Sequence, residues 1–251
     1  MIDMFTEALK TPDLWWVCFG ALMAGLVRGF AGFGTAMIYL PVALSVLDKP
    51  TALVTLLVMD LIGPIPGVPR FVRDGKMTEL WKLVLGAAIM TPISIVFIFE
   101  AISQDALRYT VSIVALVLLV LLILGVRYRG LLKDWMLYLT GAIGGFLGGI
   151  TGVPGPPVIM IYMASENPPQ VIRANNSLFL FCFDIMMLAV FLLRGLLTWT
   201  AIILGFVVAL PYLIGNVIGT QIFNPDYAQI YRYFAYAIIG VSAVMGLPLW
   251  N

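Results

Sequence analysis

Eight apolar stretches, at residues 14–47, 51–70, 80–99, 109–126, 135–165, 171–193, 199–223 and 231–249, alternate with short polar connections. A helix needs about 20 apolar residues to cross roughly 30 Å of hydrocarbon, so six of these stretches predict single membrane-spanning helices. The first and the fifth do not fit. Each runs just over 30 residues, long for one crossing and short for two with a turn. Each also carries helix breakers near its middle, AGFGT at 31–35 and TGVPGPP at 151–157.

The two odd stretches lie about 120 residues apart, and that offset recurs, as an internal duplication requires. Gly25, Gly29 and Gly32 match Gly145, Gly149 and Gly152, and Thr78 matches Thr198. Arg73 matches Arg194, while Gly86 and Pro92 match Gly205 and Pro211, within one residue of the same offset. The pattern predicts an all-α polytopic membrane protein of two homologous repeats, each with a Gly/Pro-broken helix and three transmembrane helices. The expected boundaries are an N-terminal tail at 1–13, a first repeat at 14–126, a connector at 127–134 and a second repeat at 135–251.

Basic residues in short loops mark the cytoplasmic side. Arg70, Arg73, Lys76 and Lys82 crowd one connection and Arg127, Arg129 and Lys133 another, so both are expected to be cytoplasmic. If the broken segments cross the membrane the repeats are parallel; if they dip in and return as half-helices the repeats are inverted. The remaining Lys and Arg residues fit either arrangement equally. The inverted one is favoured because it places the acidic N-terminus, with Asp3, Glu7 and Asp13 against Lys10, outside, and because discontinuous helices in inverted repeats recur in secondary transporters. That acidic terminus also lacks the basic region of a cleaved signal peptide, so the first apolar segment is expected to remain in the protein.

Composition agrees with the pattern. The chain is 62% hydrophobic and 11% charged, with mean hydropathy +1.04 and net charge +1, leaving neither an extramembrane domain nor a basic face for nucleic acid. It contains no histidine, which removes His-ligated metals, Ser-His-Asp triads and imidazole relays; no metal or cofactor is implied. With no HExxH or GxSxG motif either, an intramembrane hydrolase has little to work with. Cys18 and Cys182 lie inside apolar segments and read as buried thiols.

Broken backbone inside a membrane is tolerated only when packed in protein or lining a polar cavity. Glycine accepts positive φ, and proline in a first helical turn wastes few donors, so GPP at 155–157 reads as the start of a half-helix. Helix N-termini near Thr35 and near Pro156 would offer two converging sets of amide donors to an anion. The candidate binding residues are Arg28, Gly32, Phe33, Gly34 and Thr35 in the first break and Thr151, Gly152, Val153 and Gly155 in the second, with Asn175 and Asn176 of the RANNSLF stretch. Arg28 matters most, because an intramembrane arginine is costly unless paired or facing water, and its planar fork suits oxyanions. Asp60 and Asp184 are the acids well inside apolar segments, candidates for proton coupling or for pairing with Arg28. The glycines serve helix packing equally well: Gly25/Gly29, Gly141/Gly145 and Gly215/Gly219 are small-xxx-small pairs, suited to internal packing or to a homodimer.

With these motifs in hand, the chain resembles the sulfite exporter TauE/SafE family, also called the toluene sulfonate uptake permease family, over nearly its whole length. The resemblance rests on GLVRGFAGFGTAMIYLP at 25–41, GGFLGGITGVPGPPVIMIY at 144–162 and IRANN at 172–176. The second copy departs from the first, with Pro154 where the first has Gly34. The resemblance implies a multi-pass transporter of the bacterial inner membrane, moving small sulfur-containing anions such as sulfite or organosulfonates, often outward. An anion channel on the same pore, or a transporter of another small anion such as a carboxylate, are the alternatives.

Overall fold

The computed structural model describes residues 10–124, 132–162, 165–224 and 227–249. Residues 1–9 of the expected tail and residues 127–131 of the expected connector, Arg127 and Arg129 among them, lie outside the described residues. Every element described is helical. In chain order these are α1 (Leu14–Ala31), α2 (Thr35–Ala43), α3 (Lys49–Ile62), α4 (Val68–Asp74), α5 (Met77–Ser94), α6 (Gln104–Ile123), α7 (Asp134–Thr151), α8 (Gly155–Tyr162), α9 (Pro169–Leu193), α10 (Trp199–Ile222) and α11 (Ala228–Gly246). A 3₁₀ turn at Ile65–Gly67 joins α3 to α4, and a π-helical turn at Ile95–Phe99 extends α5. Among the described residues, six helices are long and apolar enough to cross a membrane: Leu14–Ala31, Lys49–Asp74, Met77–Phe99, Gln104–Ile123, Gln170–Leu193 and Trp199–Ile222. The chain is a multi-pass membrane protein.

Local chemistry sets the boundaries. The Asp48 carboxylate accepts from Thr51 N–H at 3.3 Å, with Pro50 in the first turn of α3. Thr198 caps α10 through Ala201 N–H at 3.2 Å. Both apolar stretches just over 30 residues long break at glycine. α1 ends at Gly32 (φ 78°) and α7 at Gly152 (φ 69°), in the left-handed region where a Cβ is penalised.

The helices form two compact units, each drawing on both halves of the sequence. The first contains α1, α2, α3, α6, α10 and α11. Here α1 and α10 run in the same direction, because Gly25 meets the backbone of Tyr212 and Asn216 while Gly29 meets that of Asn216 and Thr220. A Cβ on Gly25 would stand 2.0 Å from the Tyr212 carbonyl oxygen, and one on Gly219 would stand 2.2 Å from that of Leu26. The α3 helix also runs with α10, since Gly205 meets Val58 and Gly63 meets Tyr212. The α2 helix must therefore return, and it does: Gly20 packs on Val42 and Gly34 on Val27. The first broken segment is a hairpin.

In the second unit α7 runs with α5, pairing Gly141 with Leu83, Gly145 with Ala87 and Gly149 with Ser94. The α8 helix folds back on α7, with Pro154 against Gly148 and Val158 against Gly144. The core there includes Leu83, Ala87, Leu137, Val158, Tyr162 and Phe179. The second broken segment is a hairpin too. Its arms, like those of the first, are unequal: α1 and α7 have 18 residues each, about 27 Å, against nine in α2 and eight in α8. Only the return arms have the length of half-helices. All three small-xxx-small pairs are used inside their own unit, so a homodimer would need another surface.

Candidate functional site

In the first unit the hairpin turn carries Gly32 and Gly34, both left-handed (φ 78° and 99°), with partly buried Phe33 between them. Thr35 then opens α2. The first intrahelical bond of that helix is made by Ile38 N–H to the Gly34 carbonyl at 3.2 Å, so the amides of Thr35, Ala36 and Met37 have no partner within the helix. The Thr35 side chain is 2% exposed, and its hydroxyl has no hydrogen-bond partner.

Three helices bring charged or polar groups to this turn. Arg28, half-buried in the last turn of α1, acts electrostatically on Asp60 of α3 and on Tyr212 of α10. Tyr212, 1% exposed, donates its hydroxyl to Asp60 Oδ1 at 3.0 Å. The Thr35 hydroxyl lies within interaction range of both members of this pair, without a hydrogen bond of normal geometry to either. Among the described residues no carboxylate forms an ion pair with Arg28. Arg28 thus brings a positive charge and Asp60 a negative one, beside a helix start whose first amides have no acceptor within their own helix.

The second hairpin is chemically different. The first turn of α8 reads Gly155–Pro156–Pro157, and two of those residues have no N–H to offer. Thr151 is buried, but its hydroxyl is spent on the Leu147 carbonyl at 2.7 Å. Gly152 and Val153 are buried beside it. Asn175, fully buried, accepts from Lys76 N–H at 2.8 Å and donates to the Lys76 carbonyl at 3.4 Å and to the Tyr162 hydroxyl at 2.8 Å. Its amide is saturated, and it fastens α9 to the turn before α5. Asn176 beside it keeps an unpartnered Oδ1 at 4% exposure. Asp184 is 7% exposed and already engaged.

Tyr212 and Tyr162 were not singled out from sequence, although a buried tyrosine in an apolar helix is obliged to find a partner for its hydroxyl. A polar cluster at the mouth of α5 was missed as well. Lys76 Nζ donates to Asn167 Oδ1, Asn167 Nδ2 donates to Glu79 Oε2 at 3.0 Å, and Lys76 and Glu79 lie 3.6 Å apart.

Residues 17–245 match the sequence model of the family described as sulfite exporter TauE/SafE. No curated protein and no solved structure matched the chain.

Proposed function

The chain belongs to the sulfite exporter TauE/SafE family, a family of membrane transporters for sulfur-containing anions, and we propose that it is a secondary transporter that exports sulfite or a small organosulfonate across the bacterial inner membrane by alternating access. The binding site is the first hairpin turn. Arg28 supplies the charge and the planar fork, the free amides of α2 and the Thr35 hydroxyl supply directed donors, and Gly32 and Gly34 let the backbone approach the anion without a Cβ in the way. The observation that carries this reading is the buried Thr35 hydroxyl at the start of α2, which makes no hydrogen bond of normal geometry although it lies beside Asp60 and Tyr212 near Arg28.

Asp60 is the coupling group in this reading. Arg28 and Asp60 balance each other, so an arriving anion leaves one uncompensated negative charge unless Asp60 holds a proton. Proton binding at Asp60 and anion binding at Arg28 therefore assist one another by the same factor. The duplicated sequence pattern and the paired hairpins support descent of the two halves from one ancestral repeat. The second hairpin, with two prolines in place of donors, contributes packing.

Flux of labelled sulfite in proteoliposomes tests the assignment. Arg28→Gln and Thr35→Val are each expected to lower transport at least ten-fold, equivalent to about 1.4 kcal/mol, with melting temperature in detergent little changed. Wild-type flux in Arg28→Gln would sink the site.

A further inference from the structure

We propose that the buried face of α6 carrying Arg108 and Ser112 is a second oxyanion site, separate from the Arg28 turn. Residues 104, 108 and 112 follow one another at helical spacing and share a face. Gln104 anchors that face: its Nε2 donates to the carbonyls of Leu44 at 3.0 Å and Leu47 at 2.9 Å. Those two carbonyls are thereby occupied in the turn that follows α2. At the other end, Ser112 Oγ lies 2.9 Å from where a Cβ on Gly246 would stand, and Gly246 packs on Pro41. The face is thus walled by α2 and by the end of α11.

Arg108, between these anchors, is 7% exposed, and its Nε has no hydrogen-bond partner. Among the described residues, its ion-pair partner is Asp105, which lies 4.0 Å from Nη1 and is itself 74% exposed, too long and too well solvated to neutralise a buried guanidinium. One turn deeper, Ser112 is fully buried and its Oγ also lacks a partner. Two unpartnered donors on one buried face call for a ligand that accepts hydrogen bonds at more than one oxygen and carries negative charge. A small oxyanion does both, and the guanidinium fork grips it with two parallel bonds while Ser112 takes a third oxygen. Arg108 is only one turn from the start of a membrane-spanning helix, so the oxyanion is either a free solute or the phosphate of a phospholipid headgroup.

The test uses the full chain, delipidated in a phosphate-free maltoside detergent and titrated calorimetrically with sodium sulfite, with phospholipid phosphorus measured in parallel. Two binding events per chain are expected, one lost in Arg108→Gln and the other in Arg28→Gln. Ser112→Ala, a smaller change that leaves the fold intact, is expected to weaken the Arg108 event about ten-fold. Phosphorus that co-purifies near one mole per mole of wild-type chain and is lost in Arg108→Gln supports the site with a lipid headgroup as its ligand. The proposal is overturned if Arg108→Gln keeps both the sulfite events and the phospholipid content of the wild type, or, should that variant not fold, if Ser112→Ala leaves both unchanged. Survival of both events in Arg28→Gln would sink the transport site and leave this one standing.

Discussion

The hydroxyl of Tyr212 donates to Oδ1 of Asp60 at 3.0 Å, joining α10 to α3 across 152 positions of sequence. The tyrosine is 1% exposed, so the bond is made out of reach of bulk water, where a hydrogen bond to a charged group is worth about 1.5–3 kcal/mol. Tyr212→Phe is expected to lower the melting temperature in detergent and to reduce sulfite flux at least ten-fold. Asp60→Asn keeps an acceptor for the same hydroxyl and is expected to hold most of the stability. It is also expected to separate two activities: exchange of labelled for unlabelled sulfite persists, while an imposed pH gradient no longer drives accumulation. Proton-driven accumulation at the wild-type level in Asp60→Asn would remove Asp60 from the coupling step.

Backbone contact between α1 and α10 depends on the absence of side chains. A Cβ at Gly25 would lie 2.0 Å from the Tyr212 carbonyl oxygen, whereas one at Gly240 of α11 meets only the end of the Leu119 side chain at 3.5 Å. Gly25→Ala forces two helices apart and is expected to destabilise by about 1–3 kcal/mol or more, as overpacking does. Gly240→Ala is expected to be neutral or slightly stabilising, because alanine is the better helix former by about 1 kcal/mol. Thermal unfolding of the two variants side by side decides it.

Gly32 presents the opposite case. Nothing lies within 4 Å of a Cβ built there, yet its φ is 78°, so a substitution meets backbone strain alone. Gly32→Ala is expected to cost about 1–2 kcal/mol. Gly32→Asn is expected to cost less, because asparagine tolerates the left-handed region. Equal losses in the two would mean that space, not φ, fixes the glycine.

Asn175→Ala deletes an acceptor for Lys76 N–H and the donor to the Tyr162 hydroxyl. Leaving such buried groups unpaired costs about 1–3 kcal/mol each. The variant is expected to melt earlier, while sulfite affinity in the folded fraction stays within about two-fold, as a fastening role requires. An affinity loss with unchanged melting would instead put Asn175 in the binding site.

The sequence by itself determined the elements and their interruptions, because hydrophobic length and the φ demanded of glycine are local properties. The apolar stretches at 199–223 and 171–193 correspond closely to α10 (Trp199–Ile222) and α9 (Pro169–Leu193). The breaks fall at Gly32 and Gly152, as AGFGT and TGVPGPP announced. The start of α6 at Gln104, five residues before its apolar stretch, was hidden because its first turns carry Gln104, Asp105 and Arg108, polar residues that a hydropathy pattern discounts. The loop charges balanced in both arrangements, so the return of each broken segment was favoured only by the acidic N-terminus and by general precedent. Tertiary structure decided it through register: Gly20 on Val42 and Gly148 on Pro154 are contacts that only a hairpin makes. Pairings such as Tyr212 with Asp60, or of Asn175 with Tyr162, depend on which helix faces meet. That choice is made by backbone approach at glycines far apart in the chain, and no local pattern of residues encodes it.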